Sequence, residues 1–315
     1  MALVVAGTDA RGLMYALLEL AERLNVDGPS ALSAVQNLLE FPDHAVRGLD
    51  RFIMGPLDEE WFDSDTFWDY YLTRLARCRF NRFVLVMGFD TAYFSPPYPF
   101  FVQTPNASQV RAVGVSDEKR DANLQRLRAI GHQCHEHGLE FIFGTWQQTP
   151  WTKQQEMLVE GLPEEEGGLG DYCAAGLKTL LAQCPEIDGV HFRVNHEAGI
   201  GDQNTNEAFW RMCIRAVADA GRKLKLDLRA KGLTDGMIQF ALEGAFKVCS
   251  MAKTDTGYRG LIPGGYIVPE WDLLVYFSGI GRSGQPMLYP GIYNAVQPMP
   301  YFVIQVTESS GKSIT

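Results

Sequence analysis

From Ala45 onward the chain alternates between β-like and helical runs, and this alternation limits the fold more than any other feature. The β-like runs lie at 47–54, 82–87, 139–145, 189–194, 223–229 and 246–252. Between them, apolar residues at helical spacing mark 65–79, 117–137, 169–183, 205–220 and 234–243. Strands separated by crossover helices must run parallel, because a tight turn can only join antiparallel neighbours. Six such units in a row, with no Gly-rich phosphate loop after the first strand, favour a TIM-type (β/α) barrel over an open nucleotide-binding sheet. Ser116 is placed to cap the helix after it, and His137-Gly138 to end that helix.

The two ends of the chain fit the pattern less well. Leu273–Phe277 and Tyr301–Val306 are expected as a seventh and an eighth strand, but no amphipathic helix separates them. Gly and Pro are dense from Gly257 to Pro300, so an irregular or incomplete barrel is expected there. At the start, Leu3-Val4-Val5-Ala6-Gly7 is a short β-like run. Asp9 can cap a helix from Ala10 to Leu24, with Leu13, Leu17, Leu20 and Leu24 on one face. A second short helix is expected around Ala31–Leu39. Residues 1–44 thus read as the end of a small α/β domain whose beginning lies outside the chain, and residues 45–315 as the barrel.

The net charge of −10 argues against a nucleic-acid surface, which needs clustered Lys and Arg. No run approaches the ~18 apolar residues of a membrane span. The N-terminus has no charged segment leading into an apolar one, so no signal peptide is seen, and localisation and oligomeric state stay open. Six scattered cysteines, none in a C-x-x-C pair, suggest buried thiols rather than disulfides or zinc. His132-Gln133-Cys134-His135-Glu136-His137 has metal-ligand residues, but it ends a long helix, where the dipole alone favours histidine. Neither a metal nor a cofactor is expected.

The run Val190-His191-Phe192-Arg193-Val194-Asn195-His196-Glu197 carries the functional signal. Side chains alternate across a strand, so Val190, Phe192 and Val194 face the helices while His191, Arg193, Asn195 and Glu197 face the barrel interior. Four polar residues in a row are costly to bury unless they bind each other or a ligand. They end at Glu197, at the C-terminal edge where barrel enzymes hold their reacting groups. The next strand repeats the pattern: Leu224, Leu226 and Leu228 alternate with Lys225, Asp227 and Arg229. Asp227 and Arg229 then join the interior, or form an ion pair that shapes the core. Lys253 and Asp255 are expected at the tip of the sixth strand, and Asp50 and Arg51 on the first. Trp146, at the end of the third, is either a sugar platform or a core residue at the rim. Arg51, Arg193, Arg229 and Lys253 concentrate positive charge in an acidic chain, which favours an anionic ligand such as a uronic acid. The Pro-, Tyr- and Phe-rich segment Phe89–Val115 reads equally as an active-site loop or a packed Ω-loop.

The segment Val4-Val5-Ala6-Gly7-Thr8-Asp9-Ala10-Arg11-Gly12-Leu13-Met14-Tyr15-Ala16-Leu17 resembles the last strand and helix of the small domain before the barrel in family 20 hexosaminidases and family 67 α-glucuronidases. Val46-Arg47-Gly48-Leu49-Asp50-Arg51 looks like the first barrel strand of those enzymes. The resemblance implies a glycoside hydrolase acting on a carbohydrate substrate, with Glu197 matching the catalytic acid. Hexosaminidases have an Asp-Glu pair where this chain has His196-Glu197, which moves the likeness toward α-glucuronidases. Glycoside hydrolysis normally uses two carboxyl groups, and Asp227, Asp255 and then Asp50 are the candidates for the second. His196, Asn195 and Arg193 would position Glu197 or bind hydroxyls. The rival readings are a Schiff-base aldolase or lyase using Lys253, a metal-dependent isomerase built on His191, Glu197 and Asp227, and a non-catalytic carbohydrate-binding barrel.

Overall fold

A computed structural model describes residues 3–53, 58–87, 96–146, 159–164, 167–194, 203–229, 233–245, 251–255, 257–262, 273–275, 277–280, 286–289 and 302–304. It divides into two units, Met1–Ala245 and Phe246–Thr315.

The first unit is built on five parallel strands: β1 (Gly48–Ile53), β2 (Arg82–Met87), β3 (Glu140–Thr145), β4 (Gly189–Phe192) and β5 (Lys225–Leu228). Their spatial order follows the sequence without a reversal. The longer helices are α1 (Ala10–Asp27) before the sheet, then α2 (Asp65–Arg77), α3 (Asp117–Glu136), α4 (Gly168–Gln183) and α5 (Gln203–Ala218) between successive strands, and α6 (Asp235–Ala245) after β5. Right-handed crossovers between strands in unreversed order put every connecting helix on the same face. The opposite face is then free to curl inward, as in a barrel wall.

Two contacts show that it does curl. The Arg82 guanidinium on β2 reaches Asp227 on β5 at 2.8 Å, and Arg193, just after β4, reaches Asp50 on β1 at 3.4 Å. Each pair spans three inter-strand steps, roughly 14 Å across a flat sheet. Side chains standing parallel on a flat sheet could not close that gap.

The helix-facing side is the main core. Phe83, Leu85, Phe141, Phe143, Val190, Phe192 and Val194 pack against Leu72, Leu127, Ile130, Leu177, Leu180 and Trp210. Every residue of β2 is buried, because helices cover one face and the curl covers the other. Burial of each large side chain here contributes about 1.5–3 kcal/mol relative to exposure. The helix ends follow their local chemistry. Asp9 Oδ1 accepts from Gly12 N–H at 2.6 Å, and Ser116 Oγ from Lys119 N–H at 3.2 Å. Gly138, at φ +70°, lets Leu139 N–H reach Cys134 O and its own N–H reach His135 O, which closes α3 in a Schellman motif.

The expected helix at Ala31–Leu39 is confined to Ala31–Ala34. Leu3–Gly7 forms no strand; it has no neighbouring strand among the described residues to bond with, and Val4 lies exposed. Helix α1 packs beside the N-terminal strand ends: Tyr15 Oη donates to Phe80 O at 2.7 Å, and Glu19 pairs with Arg79 at 2.7 Å. In the segment 89–115, residues 89–95 lie outside the described set. The rest is a packed loop: Tyr98 is fully buried against Tyr172, and Asn123 Nδ2 donates to Phe100 O at 3.1 Å. A Cβ on Gly176 would come within 2.6 Å of the Tyr98 ring, so the loop seats on α4 only because that position is glycine.

The second unit departs from the expected seventh and eighth parallel strands, while most of the expected sixth, 246–250, lies outside the described residues. Met251–Thr254 pairs antiparallel with Gly257–Gly260. Leu273–Val275 pairs antiparallel with Phe302–Ile304, and Phe277–Ile280 with Pro286–Tyr289. No crossover helix separates these runs among the described residues, so antiparallel pairing is the arrangement that short connections permit.

Candidate active site

Side-chain contacts sort the inner face into a lower and an upper half. At the N-terminal end, Arg82 donates to Glu140 through Nε at 3.0 Å and lies 2.9 Å from it through Nη2. Its Nη1 bonds both oxygens of Asp227, at 2.9 and 2.8 Å. Lys225 also bonds Glu140. Burial alone would raise the Glu140 carboxyl, but hydrogen bonds from Lys225 and Arg82 hold it below the usual 4.5. Nothing in the sequence pattern singled out Arg82 or Glu140, and Lys225 entered only through its alternation with Leu224 and Leu226. The available signal was that Arg82 and Glu140 each begin a strand with a charge that the following apolar run does not explain.

This network gives Asp227 an ion pair, with Arg82 as the partner in place of the expected Arg229. Asp227 is on the inner face, level with His191, but its carboxylate points to the floor and is engaged there. At the bottom of a barrel such a pair belongs to stability.

The upper half is different in character. Asp50, Phe52, Trp146, His191, Arg193 and Arg229 converge there. The Arg193 guanidinium carbon lies 4.6 Å from the Trp146 ring centroid and 4.9 Å from that of Phe52. The Arg229 guanidinium is 5.9 Å from the same Trp146 ring. Phe52 and Trp146 meet at 5.7 Å with their planes tilted by 56°, forming an aromatic corner. Phe52 was missed in the sequence because an apolar residue in a strand reads as core. It shares the inner face with Asp50, two residues away.

Several donors in this half are left over. Arg193 Nε, Arg229 Nη1 and His191 Nε2 are buried without a hydrogen-bond partner among the described residues. Buried polar atoms in native structures nearly always have partners, so three orphans in one hollow call for one. Burial depresses the His191 imidazole below 6.5; Asp50 and Asp227 oppose this, and Arg193 and Arg229 add to it. Burial likewise lowers Arg193, reinforced by neighbouring Arg229 and opposed by Asp50. Two guanidiniums around one aromatic ring form a hollow suited to an anion.

Arg51 does not join this group. It falls between Asp50 and Phe52, so alternation turns it to the helix side. There its guanidinium sits 4.1 Å from the Trp61 ring centroid, 4.7 Å from Phe67 and 5.2 Å from Tyr71. Lys253 and Asp255 lie exposed in the second unit, on the hairpin at 251–260. Asn195, His196 and Glu197 lie outside the described residues. Within the histidine-rich helix end, His132 lies 3.4 Å from Glu136, His135 bonds Asp188 at 2.8 Å, and His137 contacts Thr73 and Gln133 O. Among the described residues, no helix is long and apolar enough to cross a membrane.

No protein family matches the chain, and no curated protein is significantly similar to it. Among solved structures it is similar to a GH138 enzyme targeting pectin rhamnogalacturonan II, with a TM-score of 0.60 and 17% identity over 75% of this chain. The chain spans only 29% of that enzyme's length. A weaker likeness, with a TM-score of 0.38 and 13% identity, covers 57% of this chain and 31% of an exo-β-1,4-mannosidase from Opitutaceae bacterium strain TAV5. A likeness that weak bears on neither fold nor function. The GH138 likeness bears on the fold alone, and it does not single out families 20 or 67.

Proposed function

We propose that the chain is the catalytic barrel portion of a glycosidase acting on a glycan that carries an acidic sugar, α-glucuronidase-like in the charge of its substrate. One observation carries this reading: Arg193 and Arg229, each with a buried N–H lacking a partner among the described residues, lie against Trp146 on the inner face of the sheet. A pyranose ring has an apolar face for the Phe52–Trp146 corner, and a uronate carboxylate would meet the guanidiniums in bidentate geometry. The structurally similar GH138 enzyme targets pectin rhamnogalacturonan II, and a pectic glycan is a substrate of the kind proposed.

Glu197 is the proposed general acid. It follows Arg193 by four residues, so in extended chain it shares that residue's face. Asp50 is the proposed second carboxylate, because it faces the upper half while Asp227 is held at the floor. Asn195 and His196 would bind hydroxyls or orient Glu197. A Schiff-base lysine needs a desolvated pocket, and Lys253 is exposed, so the aldolase reading loses its motive. Replacing Glu197 by Gln is expected to abolish hydrolysis of an aryl uronide while leaving D-glucuronate binding intact. Unchanged turnover would remove Glu197 from the mechanism. Binding by the wild type without turnover would favour the non-catalytic barrel.

A further inference from the structure

We infer that His191 is the charge-selecting residue of the upper hollow: it gains a proton as an anionic group docks against Arg193 and Arg229, and then donates Nε2–H to that group. The inference rests on the acidic-sugar reading and adds a linkage that the reading does not contain.

The geometry supplies the motive. His191 is the inward residue of β4 directly before Arg193, and it is level with Asp227 on β5. Its Nε2 is buried without a partner among the described residues, as are Arg193 Nε and Arg229 Nη1. The three atoms come from neighbouring positions on the same curled face. The charged groups that act on the ring are Asp50 on β1, Arg193 after β4, and Asp227 and Arg229 at β5. Asp227 is already neutralised by two bonds from Arg82. Asp50 holds Arg193 only loosely, at 3.4 Å.

In the free hollow, burial and two guanidiniums disfavour the imidazolium, against the pull of Asp50 and Asp227. A docked carboxylate cancels the guanidinium repulsion and offers an acceptor. It also competes with Asp50 for Arg193, which leaves the Asp50 charge available to the ring. Each change favours imidazolium, so the pKa of the ring rises on binding and one solvent proton is taken up. By linkage, affinity must rise as pH falls through the range between the bound and free pKa values. A neutral hexose brings no such charge and takes up no proton. The hollow therefore tells a uronate from its uncharged counterpart partly through this proton.

Isothermal titration of D-glucuronate at pH 6.5, repeated in buffers of different ionisation enthalpy, measures the uptake directly. The expected slope of enthalpy against ionisation enthalpy corresponds to a net gain approaching one proton. D-Glucose should give no slope. His191→Gln should bind glucuronate more weakly, with the slope gone and with affinity flat from pH 5.5 to 8. Glucuronate binding with no buffer dependence in the wild-type protein overturns the inference and leaves the acidic-sugar reading standing. Failure of glucuronate to bind at all overturns both. The wild-type slope is decisive even where the substitution weakens folding.

Discussion

Arg82→Met removes the cation that holds the floor of the inner face together. The arginine makes four short contacts, two to Glu140 and two to Asp227. Its side chain is 10% exposed, against 20% for Glu140 and 31% for Asp227. Removing one partner of a fully buried ion pair costs about 3–5 kcal/mol, since the other charge is left uncompensated. Two features reduce that here: Glu140 keeps Lys225, and Asp227 is partly screened by solvent. The expected loss is therefore about 2–3 kcal/mol at pH 7. It should appear in urea unfolding as a lower midpoint with an unchanged slope. The double replacement Arg82→Met with Asp227→Leu removes the stranded charge and should recover most of the loss. A loss below about 0.5 kcal/mol for the single variant, in the range of an exposed pair, would refute the assignment of a cohesive floor network. So would a double variant no more stable than the single one.

Two further outcomes separate residues that look alike in sequence. Arg51→Met should cost stability by about 1–2 kcal/mol, through loss of the guanidinium from the Trp61, Phe67 and Tyr71 rings, and leave glucuronate affinity unchanged; Arg193→Met should do the reverse. Because folding depresses His191 below 6.5, the unfolded chain binds the extra proton, so the ring's contribution is present above pH 6.5 and is lost as pH falls below it. The stability difference between wild type and His191→Gln, from urea midpoints, should shrink between pH 7.5 and pH 5.5; a constant difference would mean that the ring is not desolvated.

The parallel half of the molecule was legible because its signals are local and repeated. Strand positions from Gly48 to Leu228 follow apolar runs, and Asp9, Ser116 and Gly138 mark helix ends through bonds to their own backbone. Alternation placed His191, Arg193 and Arg229 on one face, and the same rule, applied one residue at a time, would have turned Arg51 away from Asp50. The floor network was not legible. Arg82 and Asp227 are 145 residues apart, and only the curl of the sheet brings them together. The second unit misled for a related reason: a short apolar run has the same composition in a parallel and an antiparallel pair. Asp255, between the two runs, was the signal that favoured a hairpin.

A crystal structure of the chain with bound D-glucuronate reports on the upper hollow without relying on turnover. The sugar should lie with its ring against Trp146 and Phe52 and its carboxylate oxygens within hydrogen-bond reach of Arg193 and Arg229. A sugar whose carboxylate turns to solvent, or a hollow left empty at saturating glucuronate, would contradict the assignment of these two arginines to an acidic glycan.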